Sequence, residues 1–120
     1  MQTFRFLDWK MYKDGQDLFT DVLGMVKKIP REYRFELGSQ IIRSALSITL
    51  NIAEGSGKAS NKELAHYLNI ALGSLYETVA NVDTLKINQI IDQKECLKMH
   101  AKALGIAKQL GGFRKKLGST

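Results

Sequence analysis

Cys96 and His100 stand four residues apart, a spacing that puts two side chains on one face of a helix. A thiol beside an imidazole is the minimal arrangement for nucleophilic catalysis. No motif supplies a third group to orient the imidazole, and His66 is the only other histidine. A cysteine without an activating cation reads as a small buried hydrophobe. Because Cys96 is the only cysteine, no intramolecular disulfide can form. Neither a metal nor a cofactor is expected.

Gly55-Ser56-Gly57-Lys58 invites comparison with a phosphate-cradling loop. The comparison fails, because the six-residue frame is absent, Lys58 precedes Ala59 rather than Ser or Thr, and no strand leads into it. What remains is a helix start with Lys58 and Lys62 close by, where free backbone amides can hold a single phosphate oxygen.

A third candidate is a polar row. Gln40, Arg43, Ser47, Asn51 and Glu54 recur at steps of three and four on an otherwise apolar stretch. Downstream, Glu63, Tyr67, Ser74, Glu77 and Asn81 form a matching row. Such rows can line a catalytic cleft, touch another subunit, or form a satisfied polar seam between two helices. Acid–base catalysis needs titratable groups with separated pKa values, whereas an arginine stays charged. The seam is therefore the expectation. A turn near Gly57 sets Arg43 opposite Ser74 and within a turn of Glu77, Gln40 opposite Glu77, and Glu54 opposite Glu63. On that register Arg43→Ala costs about 2–5 kcal/mol by orphaning a buried carboxylate.

The last candidate is electrostatic. The formal charge is +6, and residues 88–120 hold most of it, with seven basic side chains against two acidic. Wound as a helix, Lys94, Lys98, Lys102, Lys108, Lys115 and Lys116 fall within roughly 140° of arc. Cys96, Met99, Ala103, Ile106, Leu110 and Phe113 centre on the other side. Arg114 is out of phase. A lysine face often does nothing beyond solvation, but such faces usually mix both signs, and this one has almost no acids. It suits non-specific phosphate binding through counterion release. No aromatic platform for stacking single strands is interleaved with it, and no groove-reading motif appears.

The elements that must position these residues are helices. One proline in 120 residues argues for long helices and few turns. Apolar periodicity predicts helices over about 8–28, 37–54, 61–87 and 92–110, with a short basic tail to 120. Pro30 closes the first, and Arg31–Glu36 reads as a polar loop. Ser60 and Glu63 form a capping box, and Asp92 is an N-cap residue. Met11, Leu18 and Met25 repeat every seven residues, as a broadened core face or a contact toward another subunit. Gly73, mid-helix, suggests close approach of a neighbouring backbone. The chain fits one domain: an antiparallel up-down-up-down four-helix bundle. No apolar run is long enough to cross a membrane and no signal-peptide pattern opens the chain, so a cytoplasmic protein is expected.

With both middle helices in view, the chain resembles the bacterial four-helix-bundle family encoded in intervening sequences of 23S ribosomal RNA genes. That family is related to the accessory variability proteins of diversity-generating retroelements. The resemblance rests on Gly38-Ser39-Gln40, Arg43, Ser47-Ile48, Asn51-Ile52-Ala53-Glu54-Gly55-Ser56-Gly57, Ala71-Leu72-Gly73-Ser74 and Glu77, with Trp9 and Pro30 in place. Leu110-Gly111-Gly112-Phe113 is similar to the retroelement branch. Thr49 departs from the proline that members commonly carry after Ser-Ile, which should leave a straighter helix with Thr49 bonded to its own backbone. The resemblance implies a homopentameric barrel and, for the retroelement branch, binding to a reverse transcriptase and its template RNA.

The expectation is a non-enzymatic, basic, oligomeric protein that binds RNA or DNA mainly through phosphates. A scaffold docking onto a partner such as a reverse transcriptase is the alternative. Salt separates them, because phosphate binding weakens steeply with ionic strength and apolar docking does not.

Overall fold

A computed structural model describes residues 3–118 of the chain. A 3-10 turn at Arg5–Asp8 leads into α1 (Lys10–Val26), followed by α2 (Arg31–Ser56), α3 (Asn61–Ile87) and α4 (Gln93–Gly118). All four helices pack against one another, and the described residues contain no strand. None of the helices is long and apolar enough to cross a membrane.

Two boundaries differ from the sequence reading for local reasons. Arg31–Glu36 is helix rather than loop, because Pro30 acts as the N-cap and presets the chain for helix entry. All six residues are exposed, so they carry no apolar period to read. Arg34 then folds back on α1, placing Nε and Nη2 at 3.1 and 2.9 Å from the Ile29 carbonyl. At the far end, α4 runs through Gly111 and Gly112 without a break.

The heptad set of α1 is core: Met11, Leu18 and Met25 are all buried, alongside Val22. Tyr12, Phe19 and Val26 are partly buried and flank it. Burying side chains of this size contributes about 1.5–3 kcal/mol each. Gly15 lets α1 cross α2, since a Cβ there would sit 2.8 Å from Thr49 Cγ2. Thr49 turns its hydroxyl onto the Leu46 carbonyl at 3.1 Å, as its sequence context implied.

The connections on either side of α3 use different chemistry. Between α2 and α3, Gly55 admits Tyr67 and Leu64, whose atoms would lie 2.8 and 3.0 Å from an added Cβ. Ser60 Oγ then caps α3 by accepting from the Glu63 amide at 3.1 Å. Between α3 and α4, the Ile90 amide reaches the Leu85 carbonyl at 2.8 Å and the Gln89 amide reaches Lys86 at 3.0 Å. That is a Schellman motif, with Gln89 at φ 62° where glycine is usual. Asp92 caps α4, accepting from the Glu95 amide at 2.8 Å.

Candidate nucleic-acid interface

The polar rows of α2 and α3 do meet, but one turn out of the expected register. Ser47 and Ser74 share a hydrogen bond at 2.8 Å, and Asn51 Nδ2 donates to Ser47 Oγ at 2.9 Å. Deeper in, Thr78 Oγ1 lies 2.9 Å from both Ser44 Oγ and the Ser74 carbonyl, so its single proton serves one of them at a time. Asn81 Nδ2 adds a donor to Ser44 Oγ at 3.2 Å. The seam is therefore neutral, built of hydroxyls and amides with every buried polar atom satisfied among the described residues.

The charged members fall outside it. Gln40, Arg43, Glu54 and Glu77 are all exposed, and Arg43 makes no ion pair among the described residues. The cause is Gly55, whose contact with Leu64 and Tyr67 fixes the register and leaves Arg43 beyond the seam. The expected cost of Arg43→Ala through a buried carboxylate falls with that pairing. Ser44 and Thr78, the two buried hydroxyls of the seam, were missed by sequence reasoning; both sit at seam spacing but look like ordinary core-flanking residues. Gly73 is also unlike its expectation, with nothing within 4 Å of an added Cβ.

The α4 lysines do not act as one row. Lys102 is held by α1, at 2.8 Å from Asp17 Oδ2 and bonded to Asp21 as well. The hydrogen bonds it donates to Asp17 and Asp21 hold its ammonium above the usual lysine range. On the same seam Gln109 Nε2 donates to Asp14 at 2.8 Å. The Lys10 ammonium, against partial desolvation, keeps the Asp14 carboxyl below its ordinary range with help from Gln109. Lys94, Lys98 and Lys108 remain exposed without an ion pair among the described residues.

The charge that does gather lies at one end of the bundle. Asn61 and Lys62 of α3 line the same shallow cavity as Leu117 and Gly118 of α4. Arg114 bonds across to Asn69 of α3. Lys58, in the turn, stands 5.1 Å over the Tyr67 ring. Lys115 and Lys116 project from the last turn of α4, exposed. Arg5 joins them from the N-terminal segment, with Nε and Nη2 at 3.2 and 2.9 Å from the Ser56 carbonyl. The acids nearest in sequence to Arg5, Lys58 and Lys62 are Asp8, Glu54 and Glu63, and no acid follows Glu95 in α4. Sequence reading assigned Lys58 and Lys62 a secondary place and missed Arg5, because only folding brings the N-terminal segment beside the end of α2.

Aromatic rings pack at this end too. Trp9 lies 5.0 Å from Phe113, and Arg5 Cζ sits 5.1 Å above the Trp9 ring. The alternation Phe4-Arg5-Phe6 was the available signal for this cluster.

Further along, Leu75, Tyr76, Val79, His100, Ala103, Leu104 and Ala107 line a groove of about 320 Å³ between α3 and α4. Cys96 is buried, with Sγ 3.6 Å from His100 Nε2, and neither group has a third polar partner among the described residues.

Comparison with known proteins places this architecture. A crystal structure of a protein with unknown function from the S23 ribosomal protein family of Bacteroides thetaiotaomicron VPI-5482 aligns with a TM-score of 0.80. The alignment covers 88% of this chain and 98% of that one at 24% identity, a likeness of fold. No curated protein matches. Residues 7–112 match the 23S rRNA-intervening sequence protein family, and a match across most of the helical bundle means that the chain belongs to that family.

Proposed function

We propose that this is a non-enzymatic protein that binds RNA or DNA through phosphate contacts at the end of the bundle carrying Lys58, Lys62 and the last turns of α4. The observation that carries the reading is the convergence of the N-terminal segment, the α2–α3 turn with the start of α3, and the end of α4, all far apart in sequence, onto one cation-rich surface. The excess of cations in these segments attracts a polyanion, and counterion release supplies the free energy. Duty in an intervening sequence of 23S rRNA, as the family name suggests, puts RNA within reach. The exposed Lys94, Lys98 and Lys108 extend the field along α4, while Lys102 is committed to α1.

An antiparallel up-down-up-down course is part of this reading, supported by the pairs Ser47–Ser74 and Ser44–Asn81 between α2 and α3, and Lys28–Glu95 and Gln109–Asp14 between α1 and α4. So is assembly into a homo-oligomer, a pentamer by family resemblance, acting in the cytoplasm and without a cofactor. The α3–α4 groove favours a second reading, docking of a partner such as a reverse transcriptase, because Tyr76 and Leu104 are 67% and 57% exposed around it.

A mobility-shift titration decides between charge and docking. Lys58→Glu with Lys62→Glu should weaken binding to structured RNA by more than tenfold. Lys94→Glu with Lys98→Glu changes net charge equally and should weaken it by less than threefold. Equal losses from both pairs, or none from the first, would contradict the assignment of the site.

A further inference from the structure

The N-terminal segment holds an aromatic ring open to solvent beside the cationic end. Phe4 packs against Phe6 with centroids 6.2 Å apart, yet remains 73% exposed. Phe6 in turn meets Tyr12 edge-on at 4.9 Å. Between the two phenylalanines, Arg5 turns away to lie over Trp9 and to bond twice with the Ser56 carbonyl. The backbone that carries Phe4 is thus tied to α1 through Phe6 and to the end of α2 through Arg5. A ring on a tethered backbone loses little freedom when something stacks on it.

Resting on the phosphate-binding reading of this end, we infer that Phe4 is a stacking platform for an unpaired base, so that the favoured ligand is single-stranded nucleic acid or an unpaired loop. Two properties of the site point the same way. Cations at Lys58 and Lys62 follow a flexible backbone without demanding the fixed groove spacing of a duplex. An exposed aromatic face offers a base what water does not, whereas bases inside a duplex already stack on one another. The absence of aromatics along the α4 lysines therefore does not decide strand preference, because the ring comes from the other terminus. Arg5 is a positioning residue here, fixing where Phe4 stands.

Fluorescence anisotropy with three probes tests the inference: an unstructured RNA strand of about 16 nucleotides, a blunt RNA duplex of equal length, and an abasic strand of equal length. Wild type should bind the strand more tightly than the abasic strand. Phe4→Ala should weaken strand binding by roughly tenfold or more while leaving the abasic strand and duplex unchanged. Phe4→Trp should keep strand binding. Equal weakening of all three probes, or no change in any, would overturn the stacking role while leaving the phosphate reading in place. Failure of wild type to bind any probe would remove both. A change in the mass of the free assembly on Phe4→Ala would overturn it differently, by showing that the ring is a contact between copies.

Discussion

The two ends of the bundle are built to opposite rules. At the end holding the α2–α3 turn, cations gather from three separate segments with few carboxylates among them, and the turn depends on Gly55 admitting Tyr67 and Leu64. At the end holding the α3–α4 turn, cations are drawn into partnerships between elements. Lys28 meets Glu95 at 2.5 Å, Arg34 caps the end of α1, and the turn tolerates Gln89 in a left-handed conformation. The contrast teaches that net charge alone does not locate a binding surface. What matters is where the fold brings cations together and how few carboxylates it sets among them.

Substitutions at the two turns probe that contrast most strongly. Gly55→Ala forces a Cβ against Tyr67 Cβ at 2.8 Å, so it should destabilise the protein by about 1–3 kcal/mol in urea unfolding, and loosen the cationic end with it. An unchanged midpoint would mean that the close approach of α3 is not needed. Gln89→Gly should act in the opposite sense, raising stability by about 1 kcal/mol by relieving the left-handed strain. A loss instead would show that the Gln89 side chain has work of its own.

Smaller effects follow from pH, and the two linkages fail at opposite extremes. Asp14 is held low by Lys10, so its contribution is present above the ordinary aspartate pKa and is lost as pH falls through its folded value. Lys28 is held high by Glu95, so its contribution is present below the ordinary lysine pKa and is lost as pH rises through its folded value. Both sites are exposed and screened, so the shifts in Tm should be slight. Asp14→Asn should flatten the acid limb of the Tm profile and Lys28→Met the alkaline limb. A variant that flattened the other limb would contradict the pairing.

Much of the fold was legible because periodicity and capping are local. Ser60, Glu63, Asp92 and the core spacing of α3 all sit where their chemistry demands. Arg31–Glu36 was not legible, because a fully exposed helical segment carries no apolar period. The register of α2 on α3 was not legible either. It is set by a tertiary contact at Gly55, and one turn of displacement moved Arg43 and Glu77 out of the seam and Ser44 and Thr78 into it. The site divides the same way. That the α4 segment is basic could be read directly, but Lys102 is committed to Asp17 and Asp21 across helices. The grouping of Arg5 with Lys58 and Lys62 exists only once the N-terminal segment meets the α2–α3 turn.

Salt dependence of RNA binding tests the central claim most directly. For a single strand, each lost phosphate contact should flatten the slope of log affinity against log salt by about 0.7. Lys58→Gln with Lys62→Gln should therefore reduce the slope by about 1.4, and Lys94→Gln with Lys98→Gln should leave it nearly unchanged. An equal reduction from the two pairs would contradict the account, because it would mean that the whole field of the protein, rather than one of its ends, holds the phosphates.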